Sequence, residues 1–157
     1  MRHLAIVGSL ALALVLPAAA VARLPAVLTQ EKPEFQVKPA TISYTGDGTG
    51  LIGGLDGSSV RHLGHLDWTR YTRRQGTARG LVWLDDCEPD CADGAFHPYK
   101  VRVRVSSPSH ARFRLLTLKF VFHGKHVTDK RQIQHFSGMN GAPGFWEYAI
   151  VSQKGFG

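Results

Sequence analysis

The 157-residue sequence predicts an all-β fold: a single antiparallel β-sandwich or small barrel of about six strands, preceded by a signal peptide. Three observations carry this. No window repeats apolar residues at helical spacing for three turns. Tyr99 to Ser106 alternates strictly, with Val101, Val103 and Val105 on one side and Lys100, Arg102 and Arg104 on the other. Clusters of Gly and Asp punctuate the chain at short intervals, and these are residues that let a backbone reverse. At 43% hydrophobic and 20% charged, the composition is that of an ordinary folded domain. It excludes a collagen-like repeat and a disulfide-dense mini-protein, because two cysteines close at most one bridge.

Taken in order, Met1, Arg2 and His3 form a positive start, and Leu4 to Leu16 then runs apolar apart from Gly8 and Ser9. That run falls short of the roughly 20 residues a membrane-spanning helix needs, but it suits the apolar region of a signal peptide. Pro17 breaks it, and Ala20-Val21-Ala22 offers the small side chains a signal peptidase accepts, so cleavage is expected between Ala22 and Arg23. The mature chain would have 135 residues and no transmembrane segment. An uncleaved anchor is the alternative, since Leu24 to Leu28 prolongs the apolar character, but Arg23 interrupts it. No cysteine follows to accept a lipid. Residues 23–34, with Pro25 and Pro33, read as a flexible leader, and residues 35–157 as the β domain.

Within the domain, strands are expected over Ala40 to Thr45, Leu66 to Thr72, Thr77 to Leu84, Tyr99 to Ser106, Arg112 to Phe122 and Phe145 to Ser152. Turns are expected at Gly46 to Gly50, at Gly53 to Gly57, at Arg73 to Gly76 and at Ser107 to His110. The last would close a long hairpin. Gly124 to Gly144 is polar and reads as a long loop holding a short helix around Asp129 to His135.

Gly48-Thr49-Gly50-Leu51-Ile52-Gly53 has dinucleotide-motif spacing, but a second Gly-rich turn follows where a Rossmann helix would begin, so a loop is expected and no dinucleotide partner. Asp85 to Gly94 concentrates five acids around Cys87 and Cys91. The expected structure is a disulfide closing a tight acidic turn; a Ca²⁺ loop is the alternative, although EF-hand spacing is missing. His62-x-x-His65 and His123-x-x-His126 lack a zincin Glu, and residues three apart on a strand face opposite sides. Neither a metal nor a cofactor is expected. The serines lack a nucleophile elbow, and Trp68, Tyr71, Trp83, Trp146 and Tyr148 are expected in the core.

The succession Trp68-x-x-Tyr71, Ala78-x-Gly80 and Cys87-x-Pro89-x-Cys91-Ala92-x-Gly94 resembles small secreted proteins of actinobacteria that carry no assigned function. The resemblance spans most of the mature chain and implies an exported β domain, with no catalytic residue to carry over.

Charge gives the functional expectation. The formal net charge is +7, and +6 once Arg2 leaves with the signal. Lys100, Arg102 and Arg104 must leave the core together, and a hairpin is expected to bring Arg112 and Arg114 alongside them; Arg70, Arg73, Arg74 and Arg79 form a second group. Such a face favours polyanions, a cell-wall polymer among them, unless the acidic turn at Asp85 to Asp93 neutralises it. The expected function is therefore a secreted, non-catalytic binding or cell-envelope-associated protein. The alternative is a small secreted hydrolase with a site in the 124–144 loop built from His126, Asp129 or His135.

Overall fold

In the computed structural model, residues 23–29, 34–138 and 143–151 are described. The expected signal peptide and the Ala22 side of its expected cleavage site lie outside them. Ten strands form, and no helix occurs among the described residues. They are β1 (Val27–Leu28), β2 (Phe35–Gln36), β3 (Ile42–Ser43), β4 (Gly50–Gly53), β5 (Asp67–Tyr71), β6 (Gln75–Asp85), β7 (Phe96–Ser109), β8 (Arg112–Phe122), β9 (Lys125–Phe136) and β10 (Phe145–Ile150). β1 and β2 pair by themselves. The other eight make one antiparallel sheet in the order β10-β9-β8-β7-β6-β4-β3, with β5 on the remaining length of β6. This sheet curls into a nearly closed barrel, as the all-β reading expected.

Alternation builds the core. Val101, Val103 and Val105 of β7 are buried and stand opposite Phe120, Leu118 and Leu116 of β8, which are buried too. On β6 the inward positions are Gly76, Ala78, Gly80 and Val82. Their small size makes room: a Cβ on Gly76 would meet the Trp68 ring at 2.9 Å, and one on Gly80 would strike the Gly53 carbonyl at 2.1 Å. The Ala78-x-Gly80 spacing thus has a packing cause, because Trp68 stands opposite Ala78 and the Gly53 carbonyl and Leu66 lie against Gly80. Trp68 donates its ring N–H to the Pro39 carbonyl at 2.9 Å, and its ring meets that of Tyr71 edge to face.

Four expectations are corrected. Residues 25–29 of the expected leader are packed rather than flexible: Val27 and Leu28 are 0% and 2% exposed. Ala26 bonds through its amide and carbonyl to Ala111 and Phe113 at the tip of the β7–β8 hairpin, so β1 lies across one end of the barrel. Within the apolar Leu24 to Leu28 run, Val27 and Leu28 join the core, which explains their composition. Second, Gly50–Gly53 is a strand paired to β6, not a loop. Third, the expected loop with a helix is the twelve-residue strand β9, hydrogen-bonded to β8 and β10. Its inward positions include Asp129 and Arg131 as well as Val127 and Ile133, so its pattern looks polar throughout. Last, β7 runs through to Ser109, and the hairpin reverses at His110 and Ala111, whose φ values of 50° and 56° fit a two-residue turn.

The sheet's two ends meet through side chains. The Tyr44 hydroxyl, just after β3, donates to Asp129 of β9. Arg131 pairs with Asp129 at 3.0 Å and places its guanidinium 4.2 Å from the centre of the Tyr44 ring. Burial, followed by the hydrogen bond to Asp129, pushes the Tyr44 hydroxyl up to about 12.

Candidate functional site

The β7–β8 turn sets which cations meet. A two-residue reversal places even-numbered residues of β7 opposite odd-numbered residues of β8, and residues directly opposite share a face. Arg102 therefore faces Lys119, and Arg104 faces Thr117. Across β6, Arg79 stands opposite Arg102, and Thr77 opposite Arg104. Across β9, Thr128 stands opposite Lys119, and Lys130 opposite Thr117. The outer face thus carries a row Arg79–Arg102–Lys119–Thr128 running over four strands. Beside it runs a second row, Thr77–Arg104–Thr117–Lys130.

These rows line a trough of about 770 Å³. Strands lie about 4.8 Å apart, so the three adjacent cations of the first row span only about 10 Å. Arg79, Arg102, Arg104, Lys119 and Lys130 are all exposed. Thr69 reaches the trough from β5 and is hydrogen-bonded to Thr77 at 3.1 Å. A second depression of about 710 Å³ continues from the first row past Lys100 toward Leu55, Val121 and His126. Beyond Arg104, Arg70, Arg73 and Arg74 extend the positive surface around the β5–β6 turn.

No residue of the two rows is acidic, and among the described residues the one carboxylate that adjoins them is Asp67, beside Arg79 at the end of the first row. Among the described residues the ion pairs are His97–Asp86 and Arg131–Asp129, and no cation of the trough belongs to either. Asp67 stands opposite Arg79 on β5 without forming an ion pair. Arg104 donates to the Gln75 side-chain oxygen at 2.8 Å. The acidic turn does not neutralise the face: Asp85 lies six positions beyond Arg79 along β6, about 20 Å at a strand's rise.

Two of the expected site residues are elsewhere. Arg112 and Arg114 are even-numbered on β8 and so sit out of phase with Lys119 and Thr117. The Arg112 guanidinium lies 3.9 Å from the centre of the Phe35 ring and 4.9 Å from that of Trp146. Arg114 donates to the Ile133 carbonyl at 3.3 Å and is half-buried. Both are packing cations. Lys119, Arg79 and Lys130 take their place in the trough; Lys119 was readable from the alternation of β8, whereas Arg79 and Lys130 needed the register.

The acidic turn is tied to itself. Cys87 and Cys91 form a disulfide with Cα atoms 3.8 Å apart, closer than the range common for such bridges. The Glu88–Pro89 peptide within it is cis. Asp86 accepts from the Ala95 and Glu88 amides and from His97, contacts that hold its carboxyl below the usual range. Asp85 accepts from the Cys87 amide, and Asp90 from those of Ala92 and Asp93. Among the described residues, no three His, Cys, Asp or Glu side chains are grouped to hold a metal ion.

The residues of the alternative hydrolase site do not converge. On an extended β9, His126 faces outward with Thr128, while Asp129 faces inward and is engaged by Tyr44 and Arg131. His135 lies six positions from Asp129, about 20 Å away, with its ring 4.7 Å from that of Trp146. No protein-family model matches this chain, and no curated protein or solved structure matches it.

Proposed function

We propose that this is an exported, non-catalytic binding protein of the cell envelope whose basic outer face takes a polyanion, such as a cell-wall polymer. The observation that carries this is the row Arg79–Arg102–Lys119, three cations directly opposite one another on adjacent strands with no ion-paired carboxylate. Like charges in that relation destabilise a sheet, by an amount on the order of a few tenths of a kcal/mol per pair. Spreading them over the surface would avoid that cost, and a bound polyanion turns it into affinity. The signal-like N-terminus and the disulfide are compatible with an oxidising destination outside the cytosol.

The test is retention on an immobilised polyanion. The parent protein is expected to bind at low salt and to elute steeply as salt rises, since exposed charges are screened within about 10 Å at 0.1 M. The Arg102→Glu, Arg104→Glu double variant is expected to lose retention while keeping the parent's unfolding midpoint, because both side chains are exposed. Retention of that variant equal to the parent's would refute the proposal.

A further inference from the structure

We infer that the trough is built for a polymer of tetrahedral oxyanions, phosphodiesters or sulfate esters, laid across the strands. This deepens the polyanion reading and rests on it. The first argument is the donor set. Apart from the backbone and the one aliphatic outward side chain, Leu115, the trough's side chains are donors: five Lys or Arg, four Thr and Ser106. Neither a carboxylate nor an aromatic ring is among its lining residues. Proteins that hold single-stranded nucleic acid use aromatic rings on which bases stack, and there is no such platform here. The ligand's recognised part is therefore its anionic groups.

The second argument is spacing. Arg79, Arg102 and Lys119 sit about 4.8 Å apart in line, so one anion resting on the row lies between two cations at once. A planar carboxylate has two oxygens, both of which one Arg fork can occupy. A sulfate ester presents three terminal oxygens, and a phosphodiester two, splayed at the tetrahedral angle with its bridging oxygens out of their plane, so acceptors point in a second direction. Such an anion can accept from Arg102 and from a neighbouring cation while another oxygen takes the hydroxyl of Thr117, Thr77 or Thr128. The threonines stand where that requires: Thr77 and Thr117 flank Arg104 in the second row, and Thr128 ends the first. Alternating cation and hydroxyl, the second row offers the next anion along the polymer a similar seat.

The contact count can be read from salt. For a single-stranded polyanion the slope of log K against log salt is about −0.7 per phosphate neutralised. Five trough cations predict a slope of about −3.5 for inorganic polyphosphate. Lys119→Ala and Lys130→Ala should each make it shallower by about 0.7, whereas Arg61→Ala, an exposed cation outside the trough, should leave it unchanged.

The deciding experiment measures affinity of the mature protein for inorganic polyphosphate, dextran sulfate, polygalacturonate and oligo-dT at matched charge and salt. Either tetrahedral polymer should bind at least 10-fold more tightly than the carboxylate polymer, and whichever of the two binds better identifies the oxyanion as phosphate or sulfate. The Thr77→Val, Thr117→Val double variant, which preserves shape, should reduce that preference at least 3-fold with its unfolding midpoint kept. Equal binding of polygalacturonate, or binding of oligo-dT more than 10-fold tighter than polyphosphate at equal phosphate content, which requires contacts to its bases, overturns this inference and leaves the polyanion proposal standing. Failure of all four to bind overturns both.

Discussion

Tyr44 shows how much one residue can join. It lies just past β3, outside any strand, yet its hydroxyl and ring engage Asp129 and Arg131 on β9, across the seam where the sheet fails to close by backbone pairing. Tyr44→Phe removes a hydrogen bond to a carboxylate, a class of interaction worth about 1.5–3 kcal/mol. Arg131 still pairs with Asp129, so the expected loss is near the lower figure, about 1.5 kcal/mol by urea denaturation. An unchanged midpoint would mean that the seam is held by something other than this group. On the outer face, Lys119 was legible in the sequence, because Leu118 and Phe120 on either side of it had to be core. Arg79 was not legible in the same row, because its place depends on two registers, that of β6 with β7 across the Asp86 to Ala95 connection and that of β7 with β8 across the reversal at His110 and Ala111.

At the scale of elements, β1 is the sharpest departure from expectation. Two residues with two prolines nearby read as a loose lead-in, yet Leu28 is buried. Leu28→Ala should cost about 2–4 kcal/mol, as other deletions from packed cores do, whereas a flexible leader would lose nothing measurable. The acidic turn is the opposite kind of element. Its disulfide closes so short a loop that chain entropy allows it only about 2 kcal/mol, so Cys87→Ser with Cys91→Ser should lower stability by that much at most and leave binding at the trough intact. Calorimetry and the polyanion column check the two halves of that statement. Most strands were readable wherever apolar and polar residues alternate, β7 and β8 above all. β9 escaped because two of its inward positions hold Asp129 and Arg131, whose mutual neutralisation substitutes for apolar burial and leaves no periodic signal. Gly50–Gly53 escaped because glycines that serve close strand packing look the same, in sequence, as glycines that serve a turn.

For the whole molecule, three tyrosines set the alkaline limit. Burial raises Tyr44 and Tyr71 to about 12 and raises Tyr148 further, from an ordinary value of 10.0. Between pH 10 and 12 the unfolded chain gives up these protons while the folded barrel keeps them, so the unfolded state binds fewer protons and stability falls as pH rises. Below pH 10 all three are protonated in both states and contribute no slope. A urea midpoint that stays level from pH 8 to about 9.5 and then drops through pH 12 is expected. A midpoint that rises over that interval would contradict the burial of all three hydroxyls.

The crossing of β1 over the barrel's end also dictates timing. The hydrogen-bond partners of Ala26 just before it, Ala111 and Phe113, come more than eighty residues later in the chain, and Tyr148 of the core cluster later still. A polypeptide made and delivered N-terminus first therefore presents Val27 and Leu28 with only β2 to pair with, long before the barrel core exists to cover them. Contacts so remote in sequence form slowly. The barrel cannot be finished piecemeal; it waits for its last strand. A chain stopped short of β10 should remain soft, sticky and easily cleaved near Leu28, and a chain still attached to whatever makes or moves it should stay threadable until nearly all of it has emerged.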